Sequence, residues 1–244
     1  MSLLLQALRQ IDSKEPACLA PVRVPSATPA IAAPATVAAT TLEPSSSPET
    51  VLPDFDARAD LAGPAERQLA EQVREYLRPS DRVLALASAE PTFAAGQLVG
   101  NLALGLACQN QQVLVVEGAA VAAHKLSTAR PIDLADVVSG RVALDEAAVH
   151  TADRHVYALP IKPGFRLTAT ELAGVWKRMR DQFQYVVLDT DGFDEASATA
   201  LLASCEAAFF AVRIGQNSRR QVQRRREFFH AAGVELRACL VIES

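Results

Sequence analysis

The chain has 244 residues, half of them hydrophobic, a formal charge of −4 and an isoelectric point near 5.6. That length and apolar content supply a substantial core, while the acidic balance excludes a general electrostatic attraction to nucleic acid or anionic lipid. Cys18, Cys108, Cys205 and Cys239 show neither zinc spacing nor disulfide density, and the start lacks a basic n-region, so a cytoplasmic protein without a membrane span is expected.

The first predicted element is a short amphipathic helix over residues 1–14, with Leu4, Leu8 and Ile11 at i, i+4 and i+7 and Ser2 placed as its N-cap. Nothing local offers it a packing surface. An isolated helix of this length is marginal in water, so its leucine face is read as a docking segment for a partner, the alternative being that it folds back on its own domain. Residues 15–64 follow, holding nine of the 14 prolines among Ala, Ser and Thr. Such a stretch cannot bury enough apolar area to offset about 1–2 kcal/mol of backbone entropy per residue, and is expected to be a disordered linker.

From residue 65 to 244 apolar strand-like runs alternate with helical stretches. The strands are expected at 82–87, 112–117, 155–159, 185–189, 207–213 and 234–242, and the helices at 65–77, 95–109, 143–150, 168–183, 195–204 and 218–232. Near-continuous apolar strands alternating with helices predict an α/β domain, a doubly wound and mostly parallel sheet covered on both faces. Ligands of such domains bind beyond the carboxyl ends of the strands, which directs attention to the loops after Ala87, Glu117 and Asp189.

Those loops carry a resemblance. Val83-Leu-Ala-Leu-Ala-Ser88-Ala-Glu-Pro91 with Asn101-Leu-Ala-Leu-Gly-Leu-Ala107, then Gln112-Val-Leu-Val-Val-Glu117, then Tyr185-Val-Val-Leu-Asp189-Thr190, resemble the phosphate loop, second motif strand and Walker B strand of the bacterial tyrosine kinases of capsule and exopolysaccharide synthesis, and more distantly of MinD and ParA ATPases. Leu134-Ala-Asp-Val-Val-Ser-Gly140 and Glu206-Ala-Ala-Phe-Phe-Ala-Val-Arg213 are similar to further segments of that family. The resemblance implies a P-loop nucleoside-triphosphatase fold.

It also exposes what is missing. Where the family has Gly-Glu-Gly-Lys-[Ser/Thr]-Thr, this chain has Thr92, Phe93, Ala94, Ala95, Gly96 and Gln97. Phosphate binding by such a loop needs glycines for close backbone approach, a lysine for charge and a hydroxyl for magnesium. Thr92 and Ala94 replace the glycines, Ala95 the lysine and Gly96 the hydroxyl. The family's Asp-x-Asp becomes Glu117-Gly118-Ala119, so Asp189 alone is a full match. A charge-assisted hydrogen bond lost with the lysine is worth about 1.5–3 kcal/mol, and these losses together predict no catalytic residue, no metal site and no cofactor.

Arg219, Arg220, Arg224, Arg225 and Arg226 crowd the last helix, whose inward side is read from Val222, Phe229 and Ala232. This run reads as a solvated face or as a partner-binding patch, for which Arg219, Arg220 and Arg224 are the candidates. Glu71-Gln-Val-Arg74-Glu-Tyr-Leu-Arg78 partly matches a family subunit contact, with its second arginine one place late, leaving a homo-oligomer open.

Taken with the resemblance, these features predict a catalytically inactive scaffold or regulatory protein. It would bind a protein such as a chain-length determinant or export protein of a polysaccharide system, which would recruit it to the inner membrane. Nucleic acid is not expected as a partner. The alternatives are a divergent active tyrosine kinase or ATPase, which alone would use ATP and magnesium, and a MinD/ParA-like positioning factor.

Overall fold

The computed structural model describes residues 21–24, 62–89, 93–108, 110–118, 132–151, 153–161, 169–191, 193, 195–213 and 215–242. Among these described residues eight strands form one sheet: β1 (Pro21–Val24), β2 (Val83–Ser88), β3 (Val113–Gly118), β4 (Val149–His150), β5 (Val156–Ile161), β6 (Tyr185–Asp189), β7 (Ala207–Arg213) and β8 (Leu236–Ile242). Their order across the sheet is β1-β8-β7-β2-β6-β3-β5-β4. Every neighbouring pair is parallel except β4 with β5. The helices are α1 (Pro64–Arg74), α2 (Phe93–Ala107), α3 (Leu134–Val138), α4 (Leu144–Ala147), α5 (Ala169–Gln182), α6 (Glu195–Leu202) and α7 (Arg219–Ala231).

The strands are apolar throughout because both faces of the sheet are covered, and all six residues of β2 are buried. Side chains alternate between the faces. Leu84, Leu86, Val115 and Phe209 pack with Leu69, Val73, Leu102 and Leu106 of α1 and α2. On the other face, Leu114, Val116 and Leu188 meet Val175, Trp176 and Met179 of α5. Beside them Ala85, Ala87, Phe210 and Val212 meet Val222 and Phe229 of α7. Small residues on β2 and a phenylalanine pair, Phe210 and Phe229 with ring centroids 6.3 Å apart, set how closely α7 lies against the sheet.

The connection between α1 and α2 is tight. A Cβ added at Gly105 would lie 2.0 Å from the backbone oxygen of Glu66 and 2.8 Å from the Ala70 Cβ, so only glycine allows the two helices to approach this far. Arg74 then donates from Nη2 to the Leu106 carbonyl at 2.9 Å and to Gln111 at 3.2 Å, satisfying an orphan carbonyl at the end of α2. Arg78 pairs with Glu235 at 3.1 Å. Both arginines of the partial subunit-contact motif are thus engaged within this chain.

The predicted strands and the five longer helices are present, with ends displaced by a few residues. One prediction is corrected: the helix expected over 143–150 stops at Ala147, and Val149–His150 form a strand antiparallel to β5. His150 there packs at a tilt against Tyr157, ring centroids 4.2 Å apart, a cross-strand contact that a helical pattern does not reveal.

A second correction concerns the linker. The helix over 1–14, with Leu4, Leu8 and Ile11, lies outside the described residues, as does most of 15–64. Pro21–Val24, however, are an edge strand in register with β8, Pro21 opposite Cys239 and Val24 opposite Ile242. Two valines favour a strand, and proline at its first residue on a sheet edge costs no interior ladder bond. No described helix is long and apolar enough to cross a membrane.

Candidate functional site

β2 and β6 are neighbours at the centre of the sheet, and their parallel register sets Leu86 opposite Asp189. Both strands therefore deliver their last residues to the same place, the carboxyl edge where doubly wound sheets bind ligands. Thr190 stays on the ladder, donating from its N–H at 3.1 Å and its hydroxyl at 3.2 Å to the Leu86 carbonyl. The chain then turns, and the Asp191 N–H donates to the Asp189 Oδ1 at 3.0 Å. This turn swings the Asp191 carboxylate over the end of β2. Its Oδ2 accepts from the Ser88 N–H at 2.9 Å and from the Ser88 hydroxyl at 2.6 Å.

The other oxygen is met from the opposite side. Arg225 of α7 donates from Nη2 to Asp191 Oδ1 at 2.6 Å, with side-chain exposures of 20% for the arginine and 6% for the aspartate. α7 starts firmly: Ser218 and Gln221 form a capping box, and the Asn217 side chain accepts from the Arg213 N–H at 2.7 Å. Val222 and Phe229 are buried. Arg225 lies between them at i+3 and i−4, on the inward stripe of the helix rather than on its wet face. Its guanidinium also rests 5.2 Å from the centroid of the Phe228 ring.

Electrostatics follow from burial. Desolvation raises Asp189 from 3.8 to about 6, opposed by the hydrogen bond from the Asp191 N–H. Burial also raises Asp191, while its bonds to Ser88 and the Arg225 charge pull it down. The Ser88 N–H, the Ser88 hydroxyl and the Arg225 Nη2 thus all find their acceptor in Asp191, a carboxylate of the chain itself.

The predicted site residues distribute unevenly around it. Asp189 is at the centre. Glu117, next to last in β3, lies beside it, since Val116 is opposite Leu188, and it is half-buried with an interaction of its own. Phe93, Ala94 and Ala95 form the first turn of α2 and Gly96 and Gln97 continue it, so helix begins two residues ahead of the lysine-equivalent position. Thr92 and Ala119 lie outside the described residues. Arg219, Arg220 and Arg224 are exposed on α7, whereas Arg225, grouped with them in the sequence as one charged run, leaves that face and enters the site.

Ser88, Asp191 and Arg225 were thus missed as functional positions. A signal existed for two of them: Asp191 repeats a carboxylate two residues after a strand-end aspartate, and Arg225 sits at the helical spacing of Val222 and Phe229. Ser88 carried none, since a hydroxyl at a strand end is commonplace. Among the described residues no group of three or more His, Cys, Asp and Glu side chains is placed to hold a metal ion.

No protein-family model matches the sequence, and no curated protein matches it significantly. Solved structures do share its fold. The kinase domain of the Escherichia coli tyrosine kinase Etk superposes with a TM-score of 0.60 at 15% identity, covering 78% of this chain and 80% of that one. The BceF tyrosine kinase domain gives 0.58 at 18% identity over 73% and 76%. A cobyrinic acid a,c-diamide synthase from Mycobacterium smegmatis, with bound ADP and magnesium, gives 0.55 at 19% identity over 66% and 74%. At these identities the likeness establishes the fold, that of P-loop nucleoside triphosphatases.

Proposed function

We propose that this chain is a non-hydrolysing member of that fold, a scaffold or regulatory protein that has kept the ATPase architecture and closed the nucleotide end with its own side chains. The observation that carries this reading is the Asp191 carboxylate, held by Ser88 and Arg225 across the ends of β2 and β6. An anion is already in place where this architecture receives phosphates.

The residues present do not fit Mg·ATP. Ala95 brings no charge to phosphate and Gly96 no hydroxyl to magnesium. Asp189 is the one matching carboxylate, and the position of the family's second aspartate is taken by Ala119. The competing reading, a divergent nucleotide-binding enzyme, draws on the fold of the ADP- and magnesium-bound synthase and on Asp189 with Glu117 beside it.

Calorimetry decides between them. Mg·ATP at millimolar concentration is expected to give no binding heat and no rise in melting temperature, whereas a ligand at a hundred times its dissociation constant stabilises by about 2.7 kcal/mol. Binding at micromolar ATP that disappears in Asp189→Ala would sink the proposal.

Function then resides in surfaces. Arg219, Arg220 and Arg224 share the exposed side of α7, no acidic residue stands in its first turn, and the helix N-terminus adds positive potential. An acidic protein segment is the partner this face suits. The Leu4, Leu8 and Ile11 face is proposed as a second docking element, and the tyrosine-kinase fold motivates a place in polysaccharide synthesis or export at the cytoplasmic side of the inner membrane. Removing residues 1–14 is expected to leave the denaturation midpoint of the domain unchanged. A midpoint lowered by several degrees would mean that the helix packs on its own core and is not free to dock.

A further inference from the structure

We infer that Ser88 and Arg225 form an oxyanion slot in which Asp191 is an intramolecular ligand, so that an external oxyanion can enter only when the turn after β6 moves aside. The inference rests on the reading of the nucleotide end as closed, and names what closes it.

Three donors from two residues converge on one carboxylate: the Ser88 N–H at 2.9 Å, the Ser88 hydroxyl at 2.6 Å and the Arg225 Nη2 at 2.6 Å. They come from a strand end and a helix far apart in sequence. An ordinary surface ion pair has none of this convergence and does not bury its carboxylate to 6% exposure. A backbone amide, a hydroxyl and a guanidinium around one anion are the donor set with which proteins recognise carboxylates and phosphates.

The slot is also incompletely used. Arg225 contacts Asp191 through Nη2, while its Nε is buried and meets no acceptor among the described residues. A guanidinium engages an oxyanion best through two parallel N–H bonds, and an unsatisfied buried donor is unfavourable. Asp191 is tethered by its own backbone, whose N–H is committed to Asp189, and it fills the slot from one direction only. An untethered oxyanion of the size of a carboxylate or phosphate group could take both guanidinium donors along with those of Ser88.

Chemical rescue tests this in the full-length chain. Asp191→Ala empties the slot and is expected to melt below wild type. Sodium formate or inorganic phosphate at tens of millimolar, against sodium chloride of equal ionic strength, should then raise its melting temperature by about 3 °C, the shift that modest site occupancy gives a domain of this size. Wild type and the double variant Asp191→Ala/Arg225→Ala should not respond. Rescue by formate alone assigns a carboxylate ligand, and rescue by phosphate alone a phosphate-bearing one.

If the single variant fails to fold in chloride, folding is expected to return with one of the two anions. An Asp191→Ala protein unresponsive to both, one that no anion restores, or an equal response in wild type or in the double variant would each overturn the slot. Micromolar ATP binding by wild type with rescue intact would remove the proposed function and leave the slot standing; an absence of rescue without ATP binding would do the opposite.

Discussion

Gly105→Ala is expected to destabilise the domain by about 3 kcal/mol, at the upper end of what overpacking one methyl group costs. Helix propensity alone argues the other way, since alanine is favoured over glycine in a helix interior by roughly 1 kcal/mol. Geometry decides the sign. The added Cβ would stand 2.0 Å from the Glu66 carbonyl oxygen and 2.7 Å from its carbon, and neither is a flexible side-chain end that can rotate away. Backbone must move, and α1 would have to lift from α2, loosening the contacts of Leu69, Ala70 and Val73 with Leu102 and Leu106.

Gly100, in the same helix, is the control. A Cβ there meets nothing within 4 Å, so Gly100→Ala should stabilise slightly through propensity. Denaturant unfolding of both variants checks the pair, read as midpoints at unchanged slope. A Gly105→Ala protein as stable as Gly100→Ala would show that the two helices do not pack as described.

This contrast also marks where sequence reading stops. Strands such as 185–189 and 207–213 were legible because a parallel sheet covered on both faces demands apolar runs, and their β-branched and aromatic residues set them apart from the alanine- and leucine-rich apolar helices. β1 was not. Its Pro-Val-Arg-Val has no pattern beyond two valines in a proline-rich stretch, and its reason for being a strand is the neighbouring edge of β8, a partner over two hundred residues away. Gly105 reads as an unremarkable glycine in a helix until the neighbouring backbone is placed against it. The site divides in the same way. The degenerate loop and Asp189 could be read from motif order, because they occupy fixed places along the chain. The clamp of Ser88, Asp191 and Arg225 depends on α7 lying across the carboxyl edge of the sheet, and only the helical phase of Arg225 relative to Val222 and Phe229 foreshadowed that this arginine would differ from Arg219, Arg220 and Arg224.

Asp189→Asn should stabilise the protein near neutral pH and lose that advantage in acid. Burial raises the Asp189 carboxyl from 3.8 to about 6, so between those values the folded state keeps a proton that the unfolded state has released. Stability then falls as pH rises through this window, by an amount that reaches about 3 kcal/mol once Asp189 is ionised in both states. Asp191, raised in the same direction by burial, steepens the fall. Glu206 opposes it: its bonds from the Arg82 and Val83 N–H groups and from Arg180 outweigh its desolvation and lower it. Its contribution is complete above the ordinary carboxylate value of 4.5 and is lost only in stronger acid, which leaves the upper part of the window to the two aspartates. Asparagine retains an oxygen to accept from the Asp191 N–H and carries no charge to desolvate. The expected outcome is a gain of about 2–3 kcal/mol at pH 7.5 that shrinks toward zero near pH 4, measured by urea unfolding across the range. Equal or lower stability than wild type at pH 7.5 would mean that the Asp189 charge is held by a favourable partner rather than stranded by burial, and a site able to hold that charge is one in which a cation could bind.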